Sequence, residues 1–156
     1  KTSEGKIVCY ASNYSFYVMQ DVTLVPVYVK DETAVEEQVT ILCTASYNKS
    51  TKKVSFTSKR SLPVGYTVVS HGVVITDSKG WNNNFNQDAE KLVIGASRTK
   101  RSVATTKGRL GTYVARLACT ASDTWYGRAY VTYKDKNGEE HTVYSDGVAS
   151  CQVDVN

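Results

Sequence analysis

The polar segment at residues 77–91, DSKGWNNNFNQDAEK, gathers the groups best suited to chemistry in this chain. Asn82, Asn83 and Asn84 stand between Trp81 and Phe85, and Asn86 follows. Aromatic faces stack on the C–H faces of sugar rings, and planar amides offer paired donors and acceptors to neighbouring hydroxyls. A sugar site needs both kinds of group, and loops on a rigid scaffold commonly carry binding residues. Trp81, Asn82, Asn83, Asn84 and Phe85 are therefore the expected ligand-binding group. In the competing reading, Trp81 and Phe85 fold back to plug the end of the fold while the asparagines make turns. The sequence leaves both open.

A second candidate is the alternating row Tyr126, Arg128, Tyr130. On a solvent-facing sheet it would be a flat stacking platform, or else ordinary cross-strand pairing with arginine packed over tyrosine. Lys100, Arg101, Lys107 and Arg109 could meet an anionic polymer such as a uronate-rich glycan, or could serve solubility alone. Asp77, Asp88 and Glu90 are candidate calcium ligands. The stretch from Asp135 to Glu139 has its glycine in the wrong place for a calcium loop and reads as a hairpin turn. Catalysis finds little support. His71 and His141 both fall in strand-like stretches, no local motif joins a cysteine to a histidine, and carboxylate pairs are defined by separation in space. The expectation is a non-enzyme without cofactor.

Four cysteines, Cys9, Cys43, Cys119 and Cys151, lie far apart with no zinc spacing. In an oxidising compartment they allow three connectivities. The preferred one is Cys9 with Cys151 and Cys43 with Cys119, and the alternative is free, buried thiols. A net charge of +4 is too mild for a nucleic-acid binder. No apolar run in the given sequence is long enough to cross a membrane, and no signal peptide is read within it, as expected if targeting elements have been cut away. A start at Lys1 rather than Met is expected of a fragment cut from a longer chain.

The elements that must position these groups are strands. Eleven tyrosines, abundant valine and threonine and only two prolines favour β structure. Apolar alternation predicts strands at residues 7–11, 15–19, 22–29, 39–46, 54–58, 66–76, 92–96, 112–120, 125–133, 141–144 and 148–155. Residues 31–38 read as a connection, and 87–92 as one short helical turn. Pro26 suits an edge position. Gly72, inside a strand, predicts a bulge or the close approach of another backbone. The strands at 125–133 and 141–144 flank Asn137-Gly138, the dipeptide suited to a type I′ turn. In the first of them Trp125, Gly127, Ala129, Val131 and Tyr133 should face the core, and Tyr126, Arg128, Tyr130 and Thr132 the solvent. VTILCTAS at 39–46 echoes VARLACTAS at 114–122, as two strands packed on one core would. At 156 residues this is a single all-β domain, an antiparallel β-sandwich.

Three clusters carry a family likeness: Val69 to Val73, then Gly111-Thr112-Tyr113 with Leu117, then Trp125 to Tyr130. Together they resemble the pattern of bacterial fibronectin type III-like domains, with RGV, then G-x-Y/F, then T-Y-Y-V-R-A-Y. The run from Arg128 to Asp146 looks like repeats in large surface proteins of Gram-positive gut and rumen bacteria. The resemblance covers residues 54–148. It departs at His71, where arginine is usual, at Gly127, where valine is common, and in the long aromatic loop. It implies a fibronectin-III or immunoglobulin-like sandwich with an N-terminal β extension in residues 1–50, on the cell surface or secreted. The implied function is a non-catalytic module, binding polysaccharide or spacing other modules of the same polypeptide, with protein–protein contact through sheet edges as a third reading. Neither nucleic acid nor membrane insertion is expected.

Overall fold

The computed structural model describes residues 38–155. The strands expected at 7–11, 15–19 and 22–29, the connection before residue 38, and Cys9 lie outside the described residues. Eight strands follow: β1 (Thr40–Asn48), β2 (Lys53–Ser61), β3 (Thr67–Asp77), β4 (Lys100–Ala104), β5 (Leu110–Ala118), β6 (Asp123–Lys134), β7 (Glu140–Tyr144) and β8 (Ala149–Val153). A short helix, α1 (Ser78–Asn83), and a 3-10 turn at Ala89–Lys91 lie between β3 and β4.

The strands form two antiparallel sheets, so the fold is all-β. One sheet has the order β1-β2-β5, and the other β4-β3-β6-β7. β8 pairs with the first half of β6 and β7 with its second half. Period-two alternation points Val54 and Phe56 of β2 and Ala115 of β5 toward Val73 and Ile75 of β3 and Val153 of β8. Ile41, Val68, Ala129 and Val131 continue this core between the sheets. Burying each large apolar side chain here contributes roughly 1.5–3 kcal/mol.

β1, in the stretch expected to extend the fold, pairs along its whole length with β2. Other expectations are corrected. Residues 92–96 are not a strand. Leu92 is fully buried against Val74, Phe85 and Tyr130, so this stretch is apolar because it covers a sheet face. The strand lies instead at Lys100–Ala104, where two exposed cations hide the β pattern. β4 is a sheet edge, and charge on an edge discourages pairing with other chains. The echo between 39–46 and 114–122 falls on β1 and β5, which flank β2 on either side.

The hairpin between β6 and β7 is not type I′. Gly138 has φ +84°, but Asn137 is absent from the positive-φ residues. The Gly138 N–H donates to the Asp135 carbonyl at 3.1 Å, and the Asp135 N–H to the Glu139 carbonyl at 2.9 Å. This is the three-residue loop in which a left-handed glycine ends a type I turn. The Asp135 carboxylate selects it by accepting from the Asn137 and Glu139 N–H groups.

Gly72 and Gly127, both in the larger sheet, make room for a neighbour. A Cβ on Gly72 would lie 1.8 Å from the Ser102 carbonyl oxygen of β4. The register shift in β3 lies earlier, between Val68 and Ser70. A Cβ on Gly127 would lie 2.5 Å from the Phe56 ring, which fills the space that a valine would occupy.

Candidate functional site

The segment between β3 and β4 folds over the outer face of the five-stranded sheet. Asp77 ends β3 and caps α1, its Oδ1 accepting from the Gly80 N–H at 2.7 Å. A cap of this kind contributes roughly 1 kcal/mol to a helix that propensity alone would not support. Gly80 lets α1 sit tightly on β3, since a Cβ there would lie 2.1 Å from Thr76 Oγ1. Phe85 then turns inward and is 3% exposed, packed with Val74, Leu92 and Tyr130. Asn86, Gln87 and Arg98 have positive φ, and all three lie in this one segment. Strained backbone of this kind gathers where a segment is held for a purpose.

The candidate ligand group is divided by this folding. Phe85 belongs to the core beneath the segment. Trp81 is half-buried and stacks on Tyr126 with ring centroids 4.9 Å apart and planes 17° apart. Asn82, Asn83 and Asn84 are exposed. Asn82 Oδ1 accepts from Gln87 Nε2 at 3.3 Å, which fixes one amide plane. An aromatic pair and three exposed amides are therefore carried by a capped helix and the residue after it rather than by a loose loop.

The platform expected from Tyr126, Arg128 and Tyr130 is not an open one. The row does face away from the core between the sheets, but the segment above covers it. Tyr130 is fully buried, and its hydroxyl accepts from Arg101 Nε at 2.9 Å. Arg128 donates to the Ser145 carbonyl at 2.9 Å and the Ala89 carbonyl at 2.6 Å, with its guanidinium 5.0 Å from the Tyr144 ring. Thr132 is also buried. Alternation in β6 placed these side chains correctly, but it carries no information about what lies over them.

Beside this group is a cavity of about 300 Å³ lined by Ile75, Thr76, Asp77, Arg98, Lys100 and Trp125, among others. Arg98 binds Asp77 at two points, Nε to Oδ1 at 3.0 Å and Nη2 to Oδ2 at 2.7 Å. Burial pushes the Asp77 carboxyl up, but the Arg98 guanidinium and the Gly80 N–H outweigh it and leave the group below its usual range. Lys100 Nζ lies 5.3 Å from the centroid of the Trp125 ring. Sequence reasoning missed this cavity. Trp125 does pack against the core, as expected, but Lys100 was read in a loop rather than in the strand that pairs it with Ile75.

The four basic residues do not make one patch. Lys100 and Arg101 point to opposite faces of β4, toward Trp125 and Tyr130 respectively. Lys107 reaches the Val69 carbonyl at the far end of β3, and Arg109 donates to the Leu62 carbonyl. The proposed calcium ligands are also separate. Asp77 is taken by Arg98, while Asp88 caps the 3-10 turn and pairs with Lys91 at 3.5 Å. Among the described residues, one group of three potential metal ligands gathers, Asp135, Glu139 and His141. Its aspartate is already used by the hairpin turn, and His141 Nε2 lies 3.1 Å from it.

Cys43, Cys119 and Cys151 are free thiols. The expected Cys43–Cys119 disulfide is excluded by topology. Cys43 lies on β1 and Cys119 just past the end of β5, on opposite sides of β2. Two strand spacings are roughly 10 Å, beyond the span of a disulfide. Burial pushes the Cys43 thiol up to about 11, against a weaker lowering by the Ala129 backbone.

No family model matches the chain, and no curated protein matches it. Among solved structures, one assigned to the ApaA protein from Bordetella pertussis aligns with 74% of this chain and 90% of its own, at 14% identity and a TM-score of 0.37. At that score the likeness carries no argument about function.

Proposed function

We propose that this chain contains a non-catalytic, extracellular β-sandwich module of fibronectin-III or immunoglobulin-like type that binds polysaccharide. The order β1-β2-β5 against β4-β3-β6-β7 supports the sandwich type, since a Greek-key connection carries the chain from β4 back to β5 in the opposite sheet. The observation that carries the binding reading is the Trp81–Tyr126 stack beside three exposed asparagine amides. A half-open indole fixed by a second ring loses little freedom on stacking against a sugar, and the amides supply directional hydrogen bonds.

The test is retardation of the folded domain in gels containing single plant or bacterial polysaccharides, with Trp81→Ala alongside. Retardation by at least one polysaccharide, weakened in Trp81→Ala, is the expected result. A second reading, a spacer between other modules of the same polypeptide, draws on Phe85 and Tyr130, which show the same segment acting as a cover for the sheet. It predicts migration unaffected by every polysaccharide.

A further inference from the structure

The geometry points to an acidic sugar as the ligand class, with the cavity beside α1 receiving its carboxylate at Lys100. This rests on the polysaccharide reading and narrows it. The charges around the cavity do not balance. Asp77 and Arg98 pair through two hydrogen bonds, which neutralises their charges and leaves Lys100 as the uncompensated one. Lys100 has no carboxylate partner, because the ion pairs among the described residues are Lys91–Asp88, Arg98–Asp77 and His141–Asp135. Its ammonium is instead held over the Trp125 ring.

Such a cation is oriented and has donors to spare, since an ammonium has three and an indole face takes none by hydrogen bonding. At about 300 Å³ the cavity is at the small end of ligand sites, a size suited to one sugar residue. Trp125 and Ile75 supply an apolar wall for a ring, and Lys100 stands where a carboxylate on that ring would form a charge-assisted hydrogen bond. A neutral sugar in the same place would offer the ammonium only hydroxyl oxygens, whose hydrogen bonds are weaker than a carboxylate's. The site thus distinguishes charged from neutral rings more than one ring stereochemistry from another. Arg101, on the opposite face of β4, takes no part, because its guanidinium is committed to Tyr130.

The experiment is calorimetric titration of the folded domain with oligosaccharides of galacturonate, glucuronate and mannuronate, each as free acid and as methyl ester. Lys100→Gln is titrated in parallel. At least one free acid should bind about tenfold more tightly than its ester, as one charge-assisted hydrogen bond implies. Lys100→Gln should remove that preference, bringing the acid and ester affinities together, and added salt should weaken the acid alone. Equal binding of acid and ester overturns the inference but leaves the polysaccharide reading standing, as does a preference that survives in Lys100→Gln. Failure of every uronate, with retardation by a neutral polysaccharide in the gel test, also overturns it alone. Failure in both experiments removes the polysaccharide reading with it.

Discussion

Acidification to pH 5 should destabilise the domain through His71, and the size of the loss follows from where the ring sits. His71 is 1% exposed, between the sheets. Its Nε2 lies 2.6 Å from Thr106 Oγ1, and its ring meets Tyr113 edge-on at 5.3 Å. Nδ1 is buried with no partner, so a protonated ring would present an N–H donor with nothing to accept it. Burial first, and the positive Arg60 second, hold the His71 pKa down from 6.5 to about 4. The unfolded chain therefore binds a proton that the folded chain refuses. Stability from this group is fully present above pH 6.5 and is lost as the pH falls toward the folded value. Linkage gives a loss of about 2 kcal/mol between pH 7 and pH 5, and about 3 kcal/mol by pH 4. Asp77 and Asp135 are held below 3.8, so their contributions are lost only at lower pH. The assay is urea unfolding at pH 7 and pH 5 for the natural chain and for His71→Gln, which keeps a hydrogen-bonding group but does not titrate. The natural chain should lose about 2 kcal/mol more than the variant. Parallel losses would refute a neutral, buried His71 facing Arg60 across the core.

Other consequences follow from close packing. Gly72→Ala should cost about 3 kcal/mol or more, because the new methyl meets the Ser102 backbone of β4 and neither strand can yield without losing pairs; thermal unfolding checks this. Phe85→Ala should cost about 3 kcal/mol or more by emptying the cluster beneath the 77–91 segment, and hydrogen exchange should show faster exchange around Leu92. Cys43 at pH 8 should react with an alkylating reagent about a hundredfold more slowly in the folded chain than in urea, as its raised pKa leaves little thiolate; peptide mapping separates it from the other thiols. Gly127→Ala should cost about 1–3 kcal/mol by pressing on Phe56, and the larger Gly127→Val more.

Strands that carry a core face were legible in the sequence because alternation reports burial directly. β1, β2, β3, β5, β6, β7 and β8 were all anticipated to within a few residues. Gly72 was anticipated too, because an interior glycine has few physical reasons to be there. β4 was hidden because an edge strand is selected for charge rather than alternation, and Leu92 to Ala96 was misread because a cover is as apolar as a strand. α1 was missed because six residues with glycine and two asparagines have little helical propensity, and the helix depends on the Asp77 cap and on contact with the sheet. The candidate site suffered from the same limit. Trp81 and the asparagines were found by residue type, but the covering of Tyr130, the commitment of Arg128 and the meeting of Lys100 with Trp125 are tertiary facts that spacing does not contain.

The central claim is that the Trp81 ring binds sugar. The most direct measurement is tryptophan emission during titration of the folded domain with a panel of soluble plant and bacterial polysaccharides, comparing the natural chain with Trp81→Phe. With only two tryptophans in the sequence, the signal is assignable. A saturable shift in the natural chain that is reduced in Trp81→Phe is the predicted result, any remainder coming from Trp125. A folded protein whose emission is unmoved by every polysaccharide, or whose shift is the same without Trp81, would contradict it.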